Sequence, residues 1–515
     1  MIDSVSCKKY DKVRLWGTNR MDMTPRLHPK AEEPLYAQIY RHFRETIMDG
    51  RLAAHSRLPS VRQLSSSLSV SKITVETAYQ QLAAEGFIES RARSGFYVAE
   101  LEERAIDESG ELIVLSHLAN GQSTHSPVQE GEAAGTERTT APPIAYHFHG
   151  SIIDLEHFPF TQWRKCASEA LDLFRDDFSF YGENQGEPEL CEEIARYLQR
   201  ARTVRCDAAQ ILLGSGFQQA IGFLALMLGP DRRIIAMEEP GYADVREVFT
   251  QYGHKVVPIP LEEDGLDVES LAESGAHAVY VTPAHQYPRG MVMPIGKRLR
   301  LLQWAQETGG YIIENDYDGE FRYNVKPTPS LQGLDQDGRV VYISNFSKAL
   351  SPALRVNYTV LPPALLERYL QHFSFYPCPV PRIHQRTLQL FMQKGHWDRH
   401  VRRMRSLYGR KHAELLHAIT SIMPKDRVEV VAQFAGLHIV LRIKLAATAE
   451  QLAAEAAARG VKIYTTTKSW MRLNLDVMPH ILVGFGGMHI EDIRPGIEQL
   501  HEAWFGAEKK RARES

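Results

Sequence analysis

The chain of 515 residues, 43% apolar and 24% charged, exceeds what one ordinary core holds, so two or three domains are expected. Its formal net charge of −3 excludes bulk attraction to nucleic acid, and any such contact needs a local patch. No apolar run reaches transmembrane length, no signal peptide opens the chain, and Cys7, Cys166, Cys191, Cys206 and Cys378 lack metal or disulfide spacing; the expectation is a cytoplasmic protein with no metal site and no membrane partner.

Residues 1–33 form a basic arm without periodicity and read as a disordered leader rather than a DNA-tracking arm. From residue 34 the pattern changes. Tyr36, Ile39, Tyr40, Phe43 and Ile47 recur at helical spacing up to Gly50. Ser60 and Gln63 are placed to close a capping box on a second helix, whose inner stripe is Val61, Leu64 and Leu68. After a turn at Ser69–Ser71, Val75, Ala78, Tyr79 and Leu82 mark the inner face of a third helix and leave Lys72, Thr74, Glu76 and Gln80 outside. Phe87-Ile88 and Phe96-Tyr97-Val98, separated by Glu89–Gly95, read as a hairpin. Three short helices and a hairpin make a winged helix-turn-helix over residues 34–100. Ser71, Lys72 and Thr74 would enter the major groove of double-stranded operator DNA, and Arg62 would reach a phosphate. Arg91, Arg93 and Ser94 would set the wing on the backbone or in the minor groove. Eight Lys or Arg against six Asp or Glu give the stretch a charge of +2. A protein-interaction module is the other use of such a fold.

Residues 101–145 hold eight Asp or Glu, two Arg and many small residues, and read as a flexible acidic linker that keeps clear of DNA. Residues 146–370 alternate short apolar runs with helical patterns. Strands are predicted at Gln210–Leu213, Arg233–Met237, Lys255–Ile259, Ala278–Val281, Tyr311–Ile313 and Val340–Ile343, with helices such as Pro188–Arg200 and Gly296–Thr308 between them. This describes an open, mostly parallel sheet, which binds ligands at the carboxyl ends of its strands.

Candidate residues fall at those ends. Gly214-Ser215-Gly216-Phe217-Gln218 leads a strand into a helix whose first amides suit a phosphate. Tyr242, after Glu239-Pro240-Gly241, can stack on a flat heterocycle or sit as a half-buried loop aromatic. Lys348 stands just past a strand end, where burial can keep its amine partly neutral and able to form a Schiff base, and Arg355 can answer a phosphate. Residues 371–515 read as a small α+β domain: a long helix Trp397–Ile419, strands Val428–Phe434 and His438–Arg442, a helix Ala447–Arg459, and strands Val461–Tyr464 and Ile481–Phe485.

Ser344–Arg355 resembles the pyridoxal-phosphate lysine motif of fold-type-I aminotransferases. Arg57-Leu58-Pro59-Ser60-Val61-Arg62, Val70-Ser71 and Ala84-Glu85-Gly86 resemble the GntR signature, with His55 where glycine often stands. With Gln210–Gln218, Pro240–Tyr242 and Thr282–Gly290 in the same order and separation, the chain resembles the MocR subfamily of GntR-type transcription regulators over roughly residues 34–500. The resemblance implies an N-terminal winged helix-turn-helix joined to an α/β fold-type-I aminotransferase-like domain with a small C-terminal α+β subdomain. It implies pyridoxal 5′-phosphate as cofactor, a head-to-tail homodimer, and sensing of a small amine, an amino acid or the cofactor itself. The implied cofactor contacts are Lys348, Arg355, Tyr317 on the ring hydroxyl, Tyr242, Ser215, Gly216, Phe217, Ser347 and Asn345, the last where Ser or Thr is common.

Two further departures from the family bear on chemistry. The family's carboxylate beside the pyridine nitrogen falls on Asn315, because strand alternation puts 315 and 317 on one face and turns Asp316 away; a shifted register would return Asp316 to the ring. The arginine expected to clamp a ligand carboxylate is replaced by His480, with Arg472 the nearest alternative. The implied function is a regulator without efficient transamination, in which Lys348 is catalytic only if transamination occurs. A working aminotransferase and a cofactor-free dimerisation scaffold are the alternatives.

Overall fold

The computed structural model describes residues 34–48, 51–91, 95–99, 143–229, 233–323, 329–432, 435–472 and 478–514, with Pro25, Leu27 and Asp231. Contacts divide the chain into two units, Met1–Leu101 and Glu102–Ser515. The basic arm (but for Pro25 and Leu27) and the linker up to residue 142 lie outside the described residues.

The first unit consists of helices Leu35–Met48, Val61–Leu68 and Lys72–Ala84 and an antiparallel hairpin, Ile88–Arg91 with Gly95–Val98. Ile39, Phe43 and Ile47 project from one face of the first helix onto Val75, Ala78, Tyr79 and Leu82 of the third, all fully or nearly fully buried. Tyr79 anchors this core. Its ring meets Phe43 and Phe96 edge-on at 5.7 and 5.2 Å, and its hydroxyl donates to the Pro59 carbonyl at 2.8 Å. Burying one such side chain is worth about 2 kcal/mol. The second helix starts with the expected box: Ser60 Oγ accepts from Gln63 N, and Gln63 Oε1 accepts from Ser60 N. Ser69, in the left-handed region at φ 53, ends it, and Ser71 caps the next helix. His55 also adopts a left-handed φ of 64, which explains why glycine suits that position.

In the second unit eight strands form one sheet. Their spatial order is Ile211–Gly214, Asn357–Val360, Val340–Asn345, Tyr311–Asn315, Ala278–Val281, Ile234–Glu239, Lys255–Glu262 and Gly265–Leu266. The strands from 340–345 across to 255–262 run parallel. All six predicted strands are present. Two more were not predicted: Asn357–Val360, antiparallel to both neighbours, and the two-residue edge strand Gly265–Leu266. Helices Phe217–Leu228, Ala243–Gln251 and Pro363–His372 contribute to one apolar layer, and Val268–Glu273 and Ile295–Thr308 to another. Strands Ala278–Val281 and Tyr311–Asn315 are buried at every residue, which is why they read as unbroken apolar runs rather than alternations.

A second, antiparallel sheet runs Val428–Ala432, His438–Ile443, His480–Gly484 and Tyr464–Thr465, with helix Ala449–Ala457 beside it. The long helix His396–Ile422 packs on the C-terminal helix Ile490–Glu514. The predicted strand Val461–Tyr464 splits. Val461–Lys462 pairs with Tyr146–His147, and Tyr464–Thr465 joins the small sheet. The segment that follows the linker is thereby tied into the small subdomain. Among the described residues no helix is long and apolar enough to cross a membrane.

Candidate functional sites

The carboxyl ends of the parallel strands open on a cavity of about 450 Å³. Tyr242, Tyr280, Asn315, Tyr317, Asn345, Ser347 and Lys348 line its sheet side, Phe217, Gln218 and Arg355 one end, and His438, Tyr464 and Leu482 of the small subdomain the other.

One end is built for an anion. Gly216 caps helix Phe217–Leu228 at φ 128, a conformation closed to side-chain-bearing residues, and a Cβ there would overlap the Arg355 guanidinium. Arg355 reaches over this turn and donates from Nε to the Ser215 carbonyl at 3.2 Å. Asn357 Oδ1 accepts from Gly216 N at 2.9 Å and so holds the turn from the unpredicted strand. The Gly216 amide is thus taken, as is that of Ser215 by Gln219 Oε1 at 3.3 Å, so the Arg355 guanidinium and the first amides of helix Phe217–Leu228 are what this end offers a phosphate. Asn345 Oδ1 accepts from Ser347 N at 2.8 Å and shapes the turn that presents Lys348.

The Lys348 side chain is half-buried, and its Nζ donates to the Gly150 carbonyl at 2.6 Å. Burial pulls its pKa down from the ordinary lysine value to about 8, with Asp318 opposing. About a tenth of the amine is then neutral at pH 7, far more than an ordinary lysine offers. Gly150 belongs to the segment His149–Ser151, a wall that sequence reasoning missed because it carries no strand-like run.

Asn315 and Tyr317 line the cavity, and Asp316 points to the other face of the strand. There Asp316 Oδ2 accepts from Arg202 Nε at 2.5 Å and from the Tyr342 hydroxyl at 2.6 Å, in an ion pair whose side chains are each 2% exposed. Asn315 Nδ2 donates to the Tyr280 hydroxyl at 2.7 Å, while its Oδ1 is buried without a partner. The Tyr317 hydroxyl lies 2.9 Å from His285 Nδ1. Tyr242 leans against Phe217 and meets Tyr287 edge-on, its rings 5.9 and 5.3 Å away. Tyr280, Tyr287 and His285 escaped the sequence reading as individual residues, although the last two sit inside the quoted Thr282–Gly290 stretch.

Neither residue nominated for a ligand carboxylate lines the cavity. Leu482 is the lining residue of strand His480–Gly484, and His480 sits two positions earlier, paired with Arg442. Arg472 is exposed, with its backbone amide bonded to Glu239 Oε1 at 2.9 Å.

In the first unit Arg62 and Lys72 are exposed at the starts of their helices. Ser71 Oγ accepts from Thr74 N at 3.1 Å and lies 2.8 Å from the Thr74 hydroxyl, so both side chains also serve the helix start. Ile73, unnoticed in the sequence, is 75% exposed between them. Only the backbone of Arg91 is described, and Arg93 and Ser94 lie outside the described residues.

Residues 35–98 match the model of bacterial regulatory proteins of the gntR family, and residues 152–480 match aminotransferase class I and II. The chain is 39% identical to the HTH-type transcriptional regulator YhdI of Bacillus subtilis over 94% of its own length and 98% of that protein. It is 33% identical to the probable rhizopine catabolism regulatory protein MocR of Rhizobium meliloti, over 94% and 96%. Among solved structures, the multiple substrate aminotransferase of Thermococcus profundus superposes with a TM-score of 0.64 at 25% identity, covering 72% of this chain and 93% of that one. A GntR-type reading head and a fold-type-I aminotransferase domain thus occur in one chain, which belongs to the MocR subfamily of GntR-type transcription regulators.

Proposed function

We propose that this regulator carries pyridoxal 5′-phosphate on Lys348 and senses a small amine, an amino acid or the cofactor itself in the same cavity. The observation that carries the reading is Lys348, a lysine whose amine is lowered to about 8 at the strand-end cavity. The residues present fit the group. Gly216 lets the Arg355 guanidinium close against the helix start, and the orphaned Asn315 Oδ1 offers an acceptor at the sheet side. When bound, pyridoxal phosphate supplies an aldehyde to amines and a ring that accepts electrons. Lys348 holds it, Arg355 with Ser215, Gly216 and Phe217 binds its phosphate, and Tyr242, Tyr317, Ser347 and Asn345 orient it. The experiment is a visible spectrum of the purified protein, then borohydride reduction and peptide mass mapping. A pyridoxyl group on Lys348 is expected. An adduct on another lysine overturns the assignment, and a protein that takes up no cofactor supports the scaffold alternative.

A homodimer, head-to-tail as in its family, completes the proposal. Supporting it, the second unit exposes the large aromatic side chains Phe180, Tyr181 and Phe375 at 74%, 95% and 70%, residues of the kind an interface covers.

Operator contact is assigned to helix Lys72–Ala84 and the start of Val61–Leu68. Arg62→Ala should weaken binding to all sequences alike and lower the salt slope by about 1, since the contact is to phosphate. Ile73→Ala and Thr74→Ala should instead change sequence preference, because exposed apolar and hydroxyl groups on this helix meet base edges. Gel-shift titrations at several salt concentrations check both. Unchanged affinity for Arg62→Ala would remove that residue from the interface.

A further inference from the structure

Behind the cavity wall, His285 Nδ1 lies 2.8 Å from Asp318 Oδ2 and 2.9 Å from the Tyr317 hydroxyl oxygen. His285 and Asp318 are 2% and 3% exposed. The His285 and Tyr317 rings stack at 5.7 Å with 26° between their planes. A carboxylate only accepts, so Nδ1 must carry a proton whether the imidazole is neutral or charged. Tyr317 therefore cannot donate to that nitrogen, and its own proton must go elsewhere. A loop of the small subdomain closes over the pair at Gly436, where φ is 74 and a Cβ would overlap Asp318 and the imidazole.

We propose that the Asp318–His285 pair fixes the Tyr317 hydroxyl as a donor into the cavity. Asp318 and His285 are positioning residues, acting through Tyr317. The inference rests on the reading that Lys348 carries the cofactor with Tyr317 at its ring oxygen. A donor there stabilises negative charge on that oxygen and lowers the pH at which the Lys348-linked nitrogen gives up its proton. Around Tyr317 the other ionisable groups are Tyr280, Tyr287 and Glu238; Arg322, Tyr323 and His438 face the Asp318–His285 pair, and His149 and His438 face Lys348; all are left in place by the variants below.

Asp318 also acts as a bare charge, and the two roles have opposite signs. Its negative charge favours the protonated Lys348 nitrogen, so loss of charge alone lowers the midpoint. Loss of the carboxylate frees Nδ1 to accept from Tyr317, which withdraws the donor and raises the midpoint. The test follows the visible band of the full-length, cofactor-loaded protein against pH. Tyr317→Phe should raise the midpoint by about one to two units, the worth of a hydrogen bond to a charged group. Asp318→Ala should raise it in the otherwise unchanged protein and lower it, or leave it, in a Tyr317→Phe background. Asp318→Asn, whose amide oxygen can still accept from Nδ1 although the charge is gone, should instead lower it. A midpoint that falls for Asp318→Ala in both backgrounds, or that ignores Tyr317→Phe, overturns the proposal. Mass mapping keeps this apart from failure of the underlying reading: a protein without pyridoxyl on Lys348 overturns both, and one with it tests the orientation alone.

Discussion

Replacing Lys348 with alanine should abolish the adduct that borohydride fixes, and in the unmodified apo-protein the rate of cofactor attachment should climb with pH only to about 8. The attacking species is the neutral amine. Below its pKa the neutral fraction grows about tenfold per pH unit, and above it the fraction saturates. An ordinary lysine would keep gaining rate to beyond pH 10. Here the plateau should come at about 8, because burial disfavours the ammonium form more than Asp318 favours it. Stopped-flow uptake of pyridoxal phosphate across this range reads the midpoint directly. A rate still rising at pH 10 would show that the amine is solvated and that the half-buried position of Lys348 has no chemical consequence. Arg355→Ala separates the two ends of the site. It should weaken retention of the cofactor through its phosphate while leaving the plateau in place, since Arg355 bonds the Ser215 carbonyl and not the lysine.

Much of this site can be read from the sequence because it depends on local signals. A strand end followed by Lys348, a glycine turn opening a helix, and alternation at 315 and 317 each need only a few neighbours in the chain. The same holds for the first unit, where Ser60, Gln63 and the helical stripes predict caps and core. What escaped depends on long-range pairing. Asn357–Val360 carries polar residues at 357 and 359 and so lacks the unbroken apolar run that marks Ala278–Val281, yet Asn357 supports the Gly216 turn from 141 positions away. The His149–Ser151 wall has no pattern of its own and is placed by the pairing of Tyr146–His147 with Val461–Lys462. His285 and Asp318 are adjacent only because two loops meet. His480 was nominated by its place before a strand, but Leu482, two residues further along the same face, is the one that lines the cavity.

Transamination by the unmodified protein should be very slow, and Asn315→Asp should speed it by on the order of a hundredfold, the usual worth of one well-placed electrostatic partner. The rate depends on which side chain would face the ring. A shifted register would have delivered Asp316, but Asp316 is held on the opposite face by Arg202 and Tyr342. Asn315 takes the cavity side, and a neutral amide there would not hold a proton on a ring nitrogen as a carboxylate does. Amine binding needs no such proton, whereas removal of an α-proton leaves charge that the ring must accept. Sensing can therefore persist where turnover does not. Tyr280 is already positioned to donate to an introduced carboxylate, since its hydroxyl lies 2.7 Å from the Asn315 amide. Adding Tyr280→Phe to Asn315→Asp should accordingly erode part of the gain. The control is Asp316→Ala, which should leave the half-reaction rate alone but cost about 3–5 kcal/mol of stability by stranding Arg202 in the interior. Single-turnover conversion of bound cofactor to its amine form, scanned over amino acids and simple amines, measures the rates, and thermal melts measure the control. Conversion by the unmodified protein at ordinary enzyme rates, on the order of 1–1,000 per second, would restore the aminotransferase reading. A rate lost in Asp316→Ala with the fold intact would place the working carboxylate at 316 after all.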